Sequence, residues 1–458
     1  MRGGPLLLSL TMLVGPLLAH ADAPAPTVAE SKPAPAKVVL TLAAAVKLAD
    51  DRAPQIKMAK DRVVAAHAQL DEIKWIPWSQ FSISGGVAYV PEVKGNAIYS
   101  PTGIVNLNTS GNVAARVTID GVVPLWTFGK ISASQEAAKA QVDVALADVQ
   151  RTKNLLHHDL RRAFFGLQLA HDARYLLDLA KGKLVDAIKH AEENPDTDDG
   201  DLLRMKTYLM EIEGRYGEVE KGERQATAAL RFFTGIEAPK ALEIPEEPIT
   251  GPKKPLSDVL VYLNSARLHR PELKQAGAGI KARTALVDYA KARLFPDIGL
   301  GLSFGYSVAP SVTIQTNAFT SPGGNYLYYS AGLVFRWNLD LLPGVARLDY
   351  AKAQLAEVQD LQTYALGGVG VEVETAYGQC KDAMARDKAY GEAEKLAKKW
   401  VSGVSAAISV GTKEDKDLVE PLRAFLTNRY NHLVAIMDLD VATSSLMLAT
   451  GDESFTEF

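Results

Sequence analysis

The chain has 458 residues, a formal net charge of −4 and a pI near 6.1. That balance supplies no basic field for nucleic acid, and no Lys/Arg run tracks phosphates, which argues against a nucleic-acid partner. A single cysteine, Cys380, rules out an internal disulfide, a thiolate metal cage and a redox pair, and suits a buried small hydrophobe.

At the N-terminus Arg2 precedes an apolar run from Pro5 to Leu18, and Ala19-His20-Ala21 gives a small-x-small cleavage pattern. Residues 1–21 are therefore predicted to be a signal peptide. The run is too short to span a bilayer, and no other stretch reaches 18 consecutive apolar residues, so no transmembrane helix is expected. No cysteine follows the signal to carry a lipid. Residues 22–39 are Ala/Pro-rich and predicted to be an extended lead-in.

A helical segment is expected over about 41–74. The period then changes from 3.6 to 2. In "FSISGGVAY", Phe81, Ile83, Val87 and Tyr89 alternate with Ser82, Ser84, Gly86 and Ala88. In "VAARVTIDGV", Val113, Val117 and Ile119 alternate with Ala114, Arg116, Thr118 and Asp120. Both read as strands with one apolar and one small or polar face. Next, 70 residues from Leu125 to Asn194 contain no proline, and Val142, Ala145, Val149, Leu156, Leu160, Phe164 and Leu167 form one helical stripe. About 60 helical residues would reach roughly 90 Å, far beyond a globular helix. A shorter helix at about 201–234 supplies the return.

At residue 271 the chain begins to repeat itself. "RPELKQAGAGIKARTALVDYAKA" echoes "APQIKMAKDRVVAAHAQLDEIKW": Pro54 and Pro271, Lys57 and Lys274, Ala65 and Ala282, Asp71 and Asp288, and Lys74 and Lys291 all lie 217 apart. "AKAQV" at 138–142 returns as "AKAQL" at 351–355, so two copies of one unit are expected, 40–250 and 251–458. The second copy repeats the plan with a helical segment over about 256–293 and two strands. In "IGLGLSFGYS", Ile298, Leu300, Leu302, Phe304 and Tyr306 alternate with Gly and Ser, and in "YYSAGLVFRW", Tyr329, Ala331, Leu333, Phe335 and Trp337 alternate with Tyr328, Ser330, Gly332 and Arg336. Between Pro343 and Pro421 lie 77 proline-free residues, with "GGVG" at 367–370 expected to weaken the helix locally, and a last helix follows over about 417–449. The two strand hairpins are expected at about 80–124 and about 297–338.

Each strand of about ten residues is long enough to cross an outer membrane when tilted. Trp75, Trp78, Trp126 and Trp337 sit where a strand meets a helix and read as one interfacial girdle, with Tyr89, Tyr99, Tyr306, Tyr326 and Tyr328 as candidates for the other. The competing reading is a core Trp at each joint. Four strands cannot close a barrel, and open edges in lipid leave backbone groups unsatisfied, so the barrel must be shared between chains. Two chains give eight strands and a filled barrel, whereas three give twelve and an open lumen, which the small Gly/Ser faces favour. The expected fold is thus an α+β membrane protein with a shared 12-stranded trimeric barrel continued by a long coiled-coil helical tunnel.

The chain resembles the TolC-like outer membrane factor family (outer membrane efflux proteins) across essentially the whole mature sequence. The resemblance is carried by "LTLAAAVKLADDRAPQIKMA", "PLWTFGKISASQEAAKAQVDVA", "GDLLRMKTYLMEIEGRYGEVEKGERQATAALRFFTG" and "VGTKEDKDLVEPLRAFLTNRYNHLVAIMDLDVATSSLMLATG". It implies the outer membrane channel of a tripartite efflux pump or a type I secretion system. The implied partners are two further copies of the chain, a periplasmic adaptor, an inner membrane transporter of RND, ABC or MFS type, and outer membrane lipid. It also implies a carboxylate ring at a periplasmic entrance, with Asp417 the first candidate, Glu420 one turn later, Asp201 in the equivalent place of the first half, and Lys413 as a basic latch residue. Ile408 stands where such latches can have a Tyr. The alternative for the acids is helix N-terminal placement. Pro421 is expected to kink or start the last helix.

Arg116, Asp120 and Arg336 fall on the polar strand faces and are candidates for the barrel lumen, or for simple cross-strand pairs. His157-His158 with Asp159 invites a metal reading, but adjacent helical residues point about 100° apart and no His follows at i+4, so a solvated helix face is expected. Phe458 follows a polar tail and carries little weight as an assembly signal. No Ser/His/Asp order, metal spacing or phosphate loop points to an enzyme or a cofactor. The rival to a duct is a secreted periplasmic coiled-coil scaffold without a pore.

Overall fold

A computed structural model describes residues 38–94, 104–193, 198–237, 242–245, 247–252, 254–312 and 324–455. The signal peptide, most of the lead-in, Tyr99, the start of the acidic turn before Asp198 and Phe458 lie outside the described residues. A two-residue strand β1 (Val38–Val39) pairs in parallel with β4 (Leu242–Glu243). Thr41 caps α1 (Leu42–Arg52) by accepting from Ala44 N at 3.3 Å. The expected single helix over 41–74 is broken at Ala53, because the residue before Pro54 is driven out of the helical region (ψ 127°). Pro54 then opens α2 (Pro54–Trp75) at its first position, where no N–H is needed.

From α2 the chain enters β2 (Phe81–Lys94) and β3 (Ile104–Trp126), then α3 (Lys130–Glu193), and returns in α4 (Asp199–Thr234). The second half runs α5 (Val259–His269), α6 (Pro271–Ala292), β5 (Asp297–Val308), β6 (Tyr326–Arg336), α7 (Leu341–Ser409) and α8 (Val419–Thr450). α2 and α6 each hold 22 residues and begin with proline, and each carries the same surface pair one turn from its end, Lys74 to Asp71 and Lys291 to Asp288. α4 and α8 both end in a buried Thr followed by a left-handed Gly, Gly235 at φ 65° and Gly451 at φ 70°, conformations that a Cβ disfavours.

The strands form one antiparallel sheet in the order β2-β3-β5-β6, leaving β2 and β6 as edges. β3 spans 23 residues rather than about ten, because pairing with β2 resumes beyond a register shift at Pro91/Glu92. The helical core is spread along the rods instead of gathered at a centre. Of the sequence stripe on α3, Val142, Ala145, Leu156, Leu160, Phe164 and Leu167 are all buried and Val149 is half-buried. Leu156, Leu160 and Phe164 meet Ala45 and Ala49 of α1 and Leu433 of α8, and further along Leu177, Leu184 and Ile188 meet Met205 and Ile212 of α4 and Leu422 of α8.

α7 forms over the proline-free run, as expected, and continues unbroken through Gly367, Gly368 and Gly370. Val369 and Val373 pack into a cluster with Tyr262 and Leu446, and such burial outweighs a glycine penalty of about 1 kcal/mol each. α8, with the turn before it, is long and apolar enough to cross a membrane by length and composition, although the sequence had suggested no such helix. Within its most apolar 18 residues, more than half are buried in the protein, as befits a packing helix. Pro421 is buried in its first turn and causes no break, because the N–H it lacks has no helical partner there.

Candidate functional site

Pleating sorts the sheet into two faces. On one, Ile83, Val87, Tyr89, Val113, Leu302, Phe304, Tyr306, Tyr329, Leu333 and Phe335 are exposed, a contiguous apolar surface of a kind that water-soluble monomers rarely display. Glycines admit the larger rings: a Cβ on Gly121 would strike Phe81, and one on Gly111 would strike Tyr89. The opposite face carries Ser82, Ser84, Arg116, Thr118, Asp120, Gly301, Ser303, Gly305, Ser307, Ser330 and Arg336, as the register requires. Here Ser84 and Thr118 hydroxyls lie 2.6 Å apart, Ser303 Oγ donates to Asp120 Oδ1 at 2.6 Å, and the Arg116 guanidinium lies 5.9 Å from the Tyr326 ring centre. Arg336 stands opposite Asp297 in register. Tyr326 and Tyr328 share this polar face, so they leave the proposed aromatic girdle. The ring of Tyr328 lies across Gly305, where only a glycine gives room.

All four strand ends that join α2, α3, α6 and α7 lie at the same end of the sheet. Trp75, Trp78, Trp126 and Trp337 stand there, all between 46% and 68% exposed, so they are not core residues of one chain. The joint itself is pinned across the halves. Lys130, the first residue of α3, donates to Asp297 Oδ1 at 2.7 Å and to Phe295 O at 2.9 Å. Phe128, at φ 52° in the turn before it, stacks on Phe295 with centroids 5.3 Å apart.

The other end of the rods is formed by the α3–α4 turn and by the α7–α8 turn, which includes a single 3₁₀ turn, Asp415–Leu418. Asp198 caps α4 by accepting from Gly200 N at 3.1 Å. Across the two turns Lys416 Nζ reaches Asp201 Oδ2 at 3.1 Å and Glu414 Oε2 at 2.8 Å, and these carboxylates raise the Lys416 pKa. Lys416 therefore bridges the two turns through Asp201. Asp417 shares a capping box with Glu414, accepting from its N–H at 3.3 Å, so the helix-capping role applies to it. Glu420 and Lys413 are exposed beside them. The Glu-x-x-Asp spacing at 414–417 was a legible sign of that turn.

Two buried groups escaped the sequence reading. His157 is 7% exposed rather than solvated, with Nδ1 2.9 Å from Glu453 and Nε2 3.0 Å from Asp50. Nothing in a lone helix pattern reveals that α1 and the segment after α8 both converge on it. Asp440 of α8 is fully buried, and both of its carboxylate oxygens lack a hydrogen-bond partner among the described residues. Cys380 is buried as expected, and burial pushes its thiol up to about 11.

Comparison with known proteins returns the family that the sequence resembles. Residues 262–452 match the model of the outer membrane efflux protein family. Over 440 residues the chain is 24% identical to protein CyaE of Bordetella pertussis (strain Tohama I), covering 93% of this chain and 88% of that protein. The fold is shared with the open-state outer membrane channel MtrE of Neisseria gonorrhoeae, at a TM-score of 0.73 and 16% identity over 90% of this chain and 89% of that one. It is shared equally with the outer membrane channel CmeC of Campylobacter jejuni, at 0.69 and 15% over 95% and 94%.

Proposed function

We propose that this chain, with the fold of the outer membrane channels and a second half that matches the outer membrane efflux protein model, is the passive exit duct of a tripartite efflux pump or a type I secretion system. It resides in the outer membrane and extends into the periplasm. The observation that carries the reading is the four-stranded sheet with two open edges and one exposed apolar face. In lipid those edges must be paired, and β6 of one chain against β2 of the next closes them. Three chains give a 12-stranded barrel with room for a lumen lined by the Ser/Gly face, including Arg116, Asp120 and Arg336. The exposed apolar side chains Leu361, Tyr364 and Val371 on α7 suit packing against a neighbouring chain. The four tryptophans then mark the periplasmic membrane interface. The 64 residues of α3 and 69 of α7 extend about 100 Å from the sheet as the tunnel.

Within this reading the chain is a duplicated unit divided near residue 250, each half giving one strand hairpin and one helical hairpin. The tips carry the periplasmic entrance, where Asp201, Asp417 and Glu420 are repeated three times around the axis and Lys416 holds the two tips of one chain together. The duct catalyses nothing itself. A periplasmic adaptor and an inner membrane transporter of RND, ABC or MFS type are its partners, and the choice of cargo belongs to the transporter. The native mass of the detergent-extracted protein tests the assembly: three chains support it, whereas a monomer soluble without detergent would favour the coiled-coil scaffold.

A further inference from the structure

The segment that follows α8 is held from two sides. Asp452 Oδ2 accepts from Ser265 Oγ at 3.2 Å and lies 3.8 Å from His269 Nδ1, both on α5, while Phe455 meets the Tyr262 ring edge-to-face at 4.8 Å. Glu453 turns the other way, to α3, where Oε1 accepts from His157 Nδ1 at 2.9 Å and from Arg161 Nη1 at 3.2 Å. The far side of the His157 ring reaches Asp50 Oδ1 of α1 at 3.0 Å, and Lys153 of α3 stands 3.5 Å from the other Asp50 oxygen. One imidazole thus joins α1, α3 and the segment after α8, which is itself tied to α5.

We propose that His157 is a positioning residue for the wall of long helices, closing a proton-dependent clasp through Asp50 and Glu453 that holds the second half of the chain to the first. A neutral imidazole can donate from one nitrogen only, so both carboxylates are bridged as donors only when the ring is an imidazolium. Burial works against that charge, but the bonds and charges of Glu453 and Asp50 outweigh it and raise the His157 pKa above 6.5. The next residue behaves oppositely. Burial lowers the pKa of His158, whose Nδ1 lies 3.2 Å from Ser444 Oγ of α8. Burial pushes Glu453 up, yet His157 and Arg161 overcome it and bring the acid to about 2.

The charged and titratable groups facing the ring are Asp50 from α1, Lys153 and Arg161 from α3, and Glu453, with Asp452 and His269 completing the hold on α5. A raised histidine contributes its full stability below 6.5 and loses it as pH rises through the folded value. A lowered glutamate contributes above 4.5 and loses that share as pH falls through about 2. The clasp is therefore tightest between 4.5 and 6.5 and opens on the alkaline side. It rests on contacts within one chain and does not depend on the duct reading.

Ser454 is exposed beside Glu453, and Cys380 is buried, so a Ser454→Cys variant of the full-length protein takes a nitroxide label at one reactive thiol. Its spectrum in detergent should be immobile near pH 6 and gain a mobile component as the pH rises toward about 9, the clasped fraction falling about tenfold per pH unit beyond the midpoint. Adding His157→Gln should abolish the titration. Glu453→Gln, which leaves α3 untouched, should give the mobile spectrum throughout. An unchanged titration in His157→Gln overturns the proposal, as does one that vanishes only in His269→Gln, which would place the switch on α5. A label that stays immobile across the whole range in Glu453→Gln overturns it equally.

Discussion

Replacing Asp440 with Asn should stabilise the protein at neutral pH and remove much of the pH dependence of its unfolding. Burial first, and the charge of Asp387 second, push the Asp440 carboxyl from 3.8 up to about 8. In the unfolded chain this acid releases its proton above 3.8, while the folded chain keeps it until about 8, so folding becomes less favourable as pH rises through that window. At pH 7 the window has been crossed by roughly three pH units, which at 1.36 kcal/mol per unit amounts to about 4 kcal/mol per chain. Asparagine keeps the shape and both polar atoms without the charge. The assay is the unfolding midpoint of the detergent-solubilised protein at about pH 5 and about pH 7.5, where a change of this size moves the midpoint by several degrees. The wild type should lose stability over that range, and Asp440→Asn should lose only the smaller share that belongs to His157. An equal loss in both proteins would refute the buried-acid argument.

Lys416→Met should leave thermal stability nearly unchanged, since the lysine is only half-buried at the tip and such solvent-facing pairs contribute at most about 1 kcal/mol. It should nevertheless raise single-channel conductance severalfold in planar bilayers by freeing the two tips. Asp120→Asn should shift the reversal potential in a salt gradient toward anion preference, with Arg116→Gln shifting it the other way. Gly451→Ala should destabilise by about 1–3 kcal/mol, because φ is 70° and the new Cβ would lie 2.8 Å from the Arg270 backbone; thermal unfolding reads this directly.

Much of the architecture was legible because it rests on local periodicity. The alternation in "IGLGLSFGYS" and the proline-free run after Leu125 each specify an element without help from distant residues. The proline-free run after Pro343 specifies α7 in the same way, but what offsets its "GGVG" glycines does not show in the sequence, since Val369 and Val373 make their contacts with α5 and α8. At the tip, the acidic turn marks the place of Asp201, but its tie to Lys416 does not show in the sequence. Side-chain reach across two turns is decided by the fold of the 3₁₀ segment, which spacing alone does not encode. His157 illustrates the same limit: its partners are 107 and 296 residues away in the chain, so only the packed structure turns a helix-face histidine into a bridge. The faces of Tyr326 and Tyr328 follow from their alternation with Tyr329, because register, not ring chemistry, decides which face of the sheet a side chain takes.

The central claim is that three chains enclose a continuous water-filled path, and single-channel recording of the purified protein in planar lipid bilayers tests it most directly. Discrete, long-lived openings of small, cation-preferring conductance are expected, growing on Lys416→Met. Protein that inserts as a trimer yet passes no ions in either form would contradict it.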